Sequence, residues 1–278
     1  MDSTNQMSYS VLMSVYYKEN ADYLQTAMES MWNQTVPTDD FILLCDGPLN
    51  SKLDLVIQKM ESAHPGVLHV VRLQENRGLG NALNIGLKYC KHELIARMDS
   101  DDISRPDRCE KQIAIFQKHP EFSICSGFVE EFIAAKSNVY SLRTLPETQK
   151  DILVFAKRRN PFNHPCVMFR KSAVEEAGGY QYFYLLEDYF LWIRMLKNGC
   201  IGYNIQQPLL WMRGGLDMYK RRAGWKYVKS QISFFQYMKK NRFISSLDLY
   251  INCAARILSS LLPGLVREKV YKTFLRNT

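Results

Sequence analysis

The stretch Glu93–Pro106, "ELIARMDSDDISRP", decides the fold. In it an apolar run, Leu94–Ala96, leads through Arg97 and Met98 directly into the acidic segment Asp99–Asp102. Three carboxylates within four residues repel one another, and each costs free energy at the end of a buried strand unless a positive charge neutralises it. The sequence therefore predicts a strand whose acidic end needs a positive partner.

Three more apolar stretches precede this strand. The four expected strands are YSVLMSVYY at 9–17, FILLC at 41–45, LHVVRL at 68–73 and ELIARM at 93–98. Helical patterns follow the first strand, at Tyr23–Met31, and the third, at about Leu79–Tyr89. Short apolar strands that alternate with helices are typical of a parallel sheet covered on both faces, whose ligands bind at the carboxyl ends of the strands. Asp46 and Asp99 each follow a strand, so we expect them to share one crevice.

The second half of the chain has a less regular pattern. It predicts a strand at 122–132, a helix at about 147–157, a loop at 160–172, a helix within 178–199 and a strand pair at about 201–212. No internal repeat or linker interrupts it. The simplest organisation is one α/β domain, 1–212, followed by a basic helical region, 213–278.

Composition limits the class of protein. The chain has 278 residues, of which 46% are hydrophobic and 23% charged, as in ordinary globular proteins. No stretch approaches the roughly 20 apolar residues of a spanning helix, and the polar N-terminus lacks signal-peptide features, which predicts a cytoplasmic protein. The seven cysteines form no zinc or disulfide pattern. The net charge of +8 suits nucleic acid, an anionic membrane or an anionic ligand, and charge alone does not choose among them.

Two interpretations are open for Asp99-Ser100-Asp101. Two carboxylates in a loop after a buried strand suit a divalent cation with oxygen ligands, to which diphosphate oxygens add the remaining ligands. Alternatively, Asp102 or Ser104 caps a helix that begins near Arg105. Short motifs have high false-positive rates, so the motif by itself favours the helix cap, and its context must decide.

That context consists of several motifs in one order between residues 9 and 200. They are YSVLMSVYYKE, SMWNQT, ILLCDGP, ENRGLGNALNIGL, ELIARMDSDD, NHPCVMFRKSAVEEAGGY and LLEDYFLWIRMLKNG. Together they resemble the family 2 inverting glycosyltransferases of bacterial surface-polysaccharide and O-antigen synthesis. The resemblance implies the GT-A fold, an α/β fold with a Rossmann-like, mostly parallel sheet flanked by helices. It also implies a nucleotide-sugar half at about 9–120 and an acceptor half at about 121–212.

The resemblance implies which residues bind the nucleotide-sugar donor. These are Val15, Tyr16 and Glu19 after the first strand, Asp46 after the second, Asn76, Gly78 and Asn81 in the segment that closes over the nucleotide, Asp99 at the ribose, and Ser100. Asp101, with Asp99, is implied to hold Mn²⁺ or Mg²⁺ at the diphosphate, and Asp102 to support them. Cys45 stands where the family more often has a second acid. For Gly78 and Gly80, simple turn geometry explains the glycines equally well.

Catalysis is implied for the Glu187–Asp188 pair. The pair occupies the first turn of a predicted amphipathic helix, where ionised carboxylates are favoured electrostatically whatever their function. In the family, the aspartate of this pair is the general base. Inverting transfer needs one carboxylate to take the proton of the acceptor hydroxyl, so Asp188 is assigned as the base and Glu187 as the group that orients the acceptor.

Several further residues are candidates for acceptor or diphosphate contacts. They are His164, Arg213, Tyr219, Lys220 and Arg221. His164 is equally well explained as a hydrogen-bonded loop residue, and the basic run as a solvated face. The chain lacks the Gln-x-x-Arg-Trp motif of processive members, which argues against a polymerase.

The C-terminal segment Phe243–Arg276 mixes apolar and basic residues. Basic amphipathic helices of this kind lie on anionic bilayer surfaces, although helices that pack on their own domain show the same pattern. With a lipid-linked acceptor, the membrane interpretation is favoured, and the protein is then peripheral at the inner face of the plasma membrane.

The function predicted is transfer of one sugar from a nucleotide diphosphate donor, a UDP-hexose or UDP-N-acetylhexosamine, to a glycan acceptor such as a lipid-linked polysaccharide unit. One alternative is a sugar nucleotidyltransferase, which would need a Gly-rich loop where this chain has VYYKEN, at 15–20. The other is a basic nucleic-acid-binding protein, which leaves the acidic motifs unexplained. Nucleic acid is therefore not an expected partner.

Overall fold

A nine-stranded sheet runs through the part of the chain that the structure, a computed structural model, describes: residues 7–214 and 224–261. Its strands are β1 (Tyr9–Val15), β2 (Asp40–Cys45), β3 (Leu68–Arg72), β4 (Leu94–Asp99), β5 (Ile103–Ser104), β6 (Phe122–Phe132), β7 (Val139–Arg143), β8 (Met168–Arg170) and β9 (Ile201–Arg213). They are ordered β3-β2-β1-β4-β8-β6-β9-β5, with β7 beside β6. The first four are parallel, as predicted, whereas β8, β7 and β5 pair antiparallel with their neighbours.

Helices cover both faces of this sheet. They are α1 (Ala21–Trp32), α2 (Ser51–Ala63), α3 (Leu79–Leu87), α4 (Arg108–Lys118), α5 (Gln149–Phe155), α6 (Lys171–Glu176), α7 (Glu187–Lys197), α8 (Trp225–Lys240) and α9 (Ser246–Leu261). Successive residues of a strand point to opposite faces. Accordingly, Val11 and Met13 of β1 pack in one apolar cluster with α1, and Leu12 packs in a second cluster with α3 and α7. The sheet therefore has an apolar core on each of its faces.

The predicted strand pair at 201–212 is wrong, because β9 is one continuous strand. The polar residues Gln206 and Gln207 with Pro208 look like a turn in the sequence. In the structure they sit at a bulge, where the register with β6 shifts around Phe128. A bulge accommodates a proline that would otherwise interrupt a ladder of hydrogen bonds.

The helix-cap interpretation of the acidic motif is also wrong. Helix α4 begins at Arg108, with Asp107 at the cap position. Asp102 instead accepts a hydrogen bond from the backbone N–H of Arg213, and Ser104 lies in β5. The carboxylates of the motif are therefore not used to start the helix.

Helices α8 and α9 pack on the rest of the domain. The ring of Phe234 on α8 contacts those of Tyr189 and Phe190 on α7, at 4.6 and 6.3 Å between centroids. On α9, the Asn252 side chain donates to the carbonyl oxygen of Lys157 at 2.9 Å. The described helices of the basic region, α8 and α9, are thus part of the fold. Within residues 7–214 and 224–261, no helix is long and apolar enough to cross a membrane.

Candidate active site

A cleft of about 680 Å³ opens at the carboxyl ends of β1, β2 and β4. At one end it is lined by residues that end or follow these strands, among them Val15, Asp46 and Asp99. At the other end it is lined by the start of α7, which carries Asp188, and by α8, which contributes Phe235. The ends of parallel strands are the usual position of a ligand site in an open α/β sheet. Asp46 and Asp99 share one crevice, as expected.

The acidic motif forms a compact cluster of oxygens in this cleft. Asp99, Asp101 and Asp102 each offer a carboxylate oxygen, and these oxygens lie within 4.8 Å of one another. Burial, reinforced by the charges of Asp99 and Glu19, raises the pKa of Asp101 to about 7. Burial and the two neighbouring aspartates raise the pKa of Asp102 well above its usual range. Without a cation, this cluster is therefore electrostatically unfavourable.

Two arginines offset part of that charge. Arg97, only 1% exposed, donates from Nη2 to Asp99, while its Nε and Nη1 have no hydrogen-bond partner among the described residues. Arg213 donates from Nε to the carbonyl oxygen of Asp101 at 3.0 Å. The Arg213 guanidinium also lies over the ring of Tyr23, 3.7 Å from its centroid. With all three carboxylates ionised, as a bound cation would require, these two arginines do not neutralise the cluster completely.

The cluster fits a hard divalent cation. Its ligands are all carboxylate oxygens, which suit Mg²⁺ or Mn²⁺. Asp102 is 2% exposed, and its Oδ2 has no hydrogen-bond partner in the ranges described, so a buried acceptor oxygen is left unpaired beside Asp99 and Asp101. An unpaired buried acceptor is unfavourable unless a donor or a cation satisfies it.

Asp46 ties the second strand to the segment before α3. Its carboxylate accepts hydrogen bonds from the backbone N–H groups of Arg77 at 2.7 Å and Gly78 at 3.0 Å. Asn76 donates from Nδ2 to the Asp46 carbonyl oxygen at 3.1 Å. Gly47 has a φ of +88°, and a Cβ there would lie 2.7 Å from the backbone nitrogen of Asn76. Asp46, predicted as a nucleotide contact, therefore lines the cleft and also orders the loop that carries Asn76 and Gly78.

Most of the other residues predicted to bind the donor line the cleft, but Asn81 does not. Val15, Tyr16, Glu19 and Ser100 line the cleft, and Ser100 donates from its hydroxyl to Glu19 at 2.9 Å. Asn81 does not line it: the side chain is exposed on α3 and donates to the Arg77 carbonyl oxygen at 2.9 Å. The structure thus gives Asn81 a role in holding the loop and no direct contact with the cleft.

The carboxylates of α7 face the same cleft. Asp188 accepts from Asn160 Nδ2 at 2.6 Å and from its following backbone N–H, that of Tyr189, at 2.7 Å. These two donors hold the carboxylate in one orientation. Burial raises the pKa of Glu187. A Cβ at Gly80 would lie 3.7 Å from Glu187 Cγ, so α3 and the start of α7 are adjacent.

His164 lies between the two groups of carboxylates. Its Nε2 is 2.9 Å from the Tyr180 hydroxyl, and its ring stands edge-on to Trp192. Burial, with a smaller effect of Arg97, lowers the pKa of His164 well below its usual range. The imidazole is therefore neutral at physiological pH, so it offers a diphosphate a hydrogen bond and no charge. Tyr219, Lys220 and Arg221, the remaining candidate contacts, lie outside the described residues.

The sequence did not reveal several residues that line or support the cleft. The sequence does contain an indication for Arg97, because a charged residue in the middle of an apolar strand needs a partner. The sequence contains no such indication for Asn160, because it is 28 residues from Asp188 and only the fold brings the two together. The same holds for the cleft-lining arginines Arg143, Arg159 and Arg256.

The chain belongs to glycosyl transferase family 2, whose model matches residues 10–178. It is 39% identical over 97% of its length to all of an uncharacterized glycosyltransferase of Haemophilus influenzae. It is 38% identical to the amylovoran biosynthesis glycosyltransferase AmsE of Erwinia amylovora, over 95% of this chain and 98% of that protein. An Escherichia coli relative, UDP-Gal:alpha-D-GlcNAc-diphosphoundecaprenol beta-1,3-galactosyltransferase, is 39% identical over 99% of this chain and 98% of its own length.

Solved structures show the same GT-A architecture. The mannosyltransferase PcManGT from Pyrobaculum calidifontis, in complex with GDP-Man and Mn²⁺, superposes with a TM-score of 0.64 and 14% identity, over 97% of this chain and 80% of that one. S. aureus TarS 1-349, in complex with UDP-GlcNAc, gives a TM-score of 0.61 and 16% identity, over 97% and 72% of the two chains. At these identities the likeness establishes the fold.

Proposed function

We propose that the protein is an inverting glycosyltransferase that moves one sugar from a UDP-hexose or UDP-N-acetylhexosamine to a lipid-linked glycan acceptor. The observation that carries this is one cleft in which the Asp99–Asp102 cluster meets the oriented carboxylate of Asp188. The cluster suits the diphosphate of a donor and Asp188 suits an acceptor hydroxyl. Family membership favours this function over a nucleotidyltransferase or a nucleic-acid-binding protein.

The donor is held at the acidic end. Val15, Tyr16, Glu19 and Ser100 flank the position of the nucleoside, and the loop ordered by Asp46 closes over it. Asp99 and Asp101, supported by Asp102, hold Mn²⁺ or Mg²⁺, which when bound neutralises charge on the diphosphate and its leaving group. Support for a nucleotide sugar and a cation comes from the acidic cluster itself and from the structural neighbour solved with GDP-Man and Mn²⁺.

Asp188 acts as the general base. As the acceptor hydroxyl oxygen attacks the anomeric carbon, Asp188 takes its proton, and the bond from that carbon to the phosphate oxygen breaks. Attack from the side opposite the leaving nucleoside diphosphate inverts the configuration. The hydrogen bonds from Asn160 and the Tyr189 N–H keep the carboxylate aimed, and the partly buried Glu187 orients the acceptor.

The regions have separate tasks in this proposal. Residues 9–120 form the nucleotide-sugar half, 121–212 the acceptor half, and 213–278 the basic helical region. The region 213–278 holds the protein peripherally at the inner face of the plasma membrane. Support comes from the exposed apolar residues Leu247 and Tyr250 of α9, 68% and 75% exposed.

The test is a product analysis. The purified protein with Mn²⁺ is offered a panel of α-linked UDP-sugars and a lipid-diphosphate-linked acceptor sugar, and the anomeric configuration of the product is measured by NMR. We expect transfer from one of the donors to give a β-linked product. A product that retains the α configuration would contradict the inverting mechanism. Hydrolysis alone, with every acceptor refused, would contradict the acceptor class.

A further inference from the structure

Arginines line the part of the cleft near Asp188, its cationic end. Arg159, after α5, precedes Asn160, which contacts Asp188, and Arg256 on α9 contacts the backbone of Arg158. Arg143, at the end of β7, lines the same cleft. All three are half-buried and come from separate parts of the chain. Cations in a cleft with low-dielectric walls raise the local concentration of an anionic ligand.

These cations are close to the proposed base. Arg159 immediately precedes Asn160, whose amide donates to Asp188. Burial raises the pKa of Tyr189, the residue after Asp188, and the nearby guanidinium of Arg256 opposes that rise. An anion bound here would therefore lie beside the acceptor and not at the donor's cluster.

The geometry of α9 fixes Arg256 at this end. Arg256 donates from Nη2 to the Arg158 carbonyl oxygen at 3.3 Å, and Asn252, one turn earlier, donates to Lys157 at 2.9 Å. The Arg159 guanidinium lies over the ring of Phe155, four residues earlier in the chain, at 5.5 Å from the ring centroid. Glu187 and Asp188 are the carboxylates nearest in the chain to this part of the cleft lining.

A separate apolar surface lies on the outward side of α9, opposite Arg256 in the helical spacing. On α9, exposed residues recur at helical spacing: Leu247, Tyr250, Ile251, Ile257 and Leu258. Arg256 belongs to the same helix and reaches into the cleft. A ligand that presents a sugar hydroxyl to Asp188 and also meets these guanidiniums carries an anionic group next to that sugar.

We propose that Arg143, Arg159 and Arg256 bind the diphosphate of a polyprenyl-diphosphate-linked acceptor sugar. The site rests on the proposed function, in which the acceptor is lipid-linked and the donor diphosphate occupies the acidic end. Guanidinium groups make paired, charge-assisted hydrogen bonds to phosphate oxygens, so three of them hold a diphosphate while the sugar hydroxyl reaches Asp188.

The test compares two soluble acceptors that carry the same sugar. One is α-linked through a diphosphate to a short alkyl chain, and the other is the simple alkyl glycoside. The variants are Arg159→Gln and Arg256→Gln, with Arg256→Lys as the conservative change. The matched control is Arg158→Gln, which removes the same charge from an exposed neighbour outside the cleft. Folding of each is checked by its melting temperature.

For the diphosphate acceptor we expect each glutamine variant to raise KM about ten-fold, since it removes charge-assisted hydrogen bonds to the phosphate oxygens. KM for the alkyl glycoside and for the donor should not change, and Arg158→Gln should behave as wild type. Arg159→Gln does not depend on the packing of α9, so it tests the site even if Arg256→Gln folds poorly. An equal rise for both acceptors, a rise confined to the donor, or no rise would overturn the proposal.

A binding measurement separates this site from the proposed function. Calorimetry with Asp188→Asn, UDP and Mn²⁺ present, measures the affinity for the diphosphate acceptor without turnover. If affinity falls in the Arg159→Gln background, the site stands even where wild type transfers no sugar. If wild type transfers sugar but the arginine variants change neither the affinity nor the KM for the diphosphate acceptor, the proposed function is retained and the proposed site is rejected.

Discussion

The two ends of the cleft are built in opposite ways. The acidic end comes from one short segment, Asp99–Asp102, held by the parallel register of β4 with β1, in which Asp99 pairs with Ser14. The cationic end collects Arg143, Arg159 and Arg256 from elements far apart in the chain. A charge cluster within one segment is rigid and already strained by repulsion, so it suits a compact cation. A cluster assembled by packing suits a larger, extended anion.

The largest effect is expected from Asp101→Ala, which removes the centre of the acidic end. We expect donor affinity and turnover to be lost together, because the carboxylate that holds the cation is gone. Calorimetry with UDP and Mn²⁺, with and without a chelator, measures this. Asp107→Ala is the control, since that aspartate lies in the same connection but pairs with Lys111 at the surface. Equal affinity for UDP in the presence of chelator would rule out the cation.

Asp188→Asn should separate chemistry from donor binding. The substitution keeps the shape and the Asn160 contact position but removes the basic lone pair, and loss of a general base costs about 10²–10⁴ in rate. Donor affinity should stay close to wild type, because Asp188 lies on a different segment from the cluster. Turnover and UDP affinity are measured side by side. Near-normal turnover in a well-folded variant would contradict the assignment of Asp188 as the general base. Glu187 would then be the first alternative candidate, and His164 the second.

The acidic end should also control stability against pH in the metal-free protein. Burial raises the pKa of Asp101 from its ordinary value to about 7, so the folded state favours the protonated form. The stabilisation is complete below the ordinary pKa and is lost as pH rises through about 7. Relative to wild type, Asp101→Asn should therefore gain several degrees in Tm between pH 5 and 8.

A second test of the Asp101 carboxylate measures how Mn²⁺ changes Tm at two pH values. Because cation binding requires the ionised carboxylate, Mn²⁺ should raise the Tm of wild type more at pH 8 than at pH 5. The same ion should not raise the Tm of Asp101→Asn. If Tm of wild type and of Asp101→Asn, measured without metal, depended on pH in the same way, ionisation of Asp101 would not destabilise the folded protein, and the prediction would be wrong.

The smallest effect is expected at the exposed apolar face of α9, on the side of that helix opposite Arg256. Leu247→Ser should lower co-sedimentation with anionic vesicles several-fold, since one large apolar side chain no longer enters the bilayer surface. The control is Leu55→Ser on α2, which is 66% exposed against 68% for Leu247. Binding should rise with anionic lipid and fall with salt. If both variants bind alike, the exposed face of α9 meets something other than the membrane.

Sequence patterns alone determined the donor half. The periodicity of apolar residues in β1–β4 is local, and parallel strands necessarily bring their carboxyl ends to one edge. The crevice shared by Asp46 and Asp99 therefore follows directly, and so does the placement of Glu187 and Asp188 in the first turn of α7. The family motifs added the residue roles, which remain predictions until the variants are measured.

Only the tertiary structure decided the rest, because it depends on contacts between residues far apart in the chain. Periodicity does not show that Pro208 sits at a bulge of one long strand, or that Asn160 points at Asp188. Nor does it show that the Asp46 carboxylate binds backbone N–H groups of the next loop, since such partners have no side-chain signature. The three arginines of the cationic end carry no pattern at all, because a charge becomes part of a site only when packing places other charges beside it.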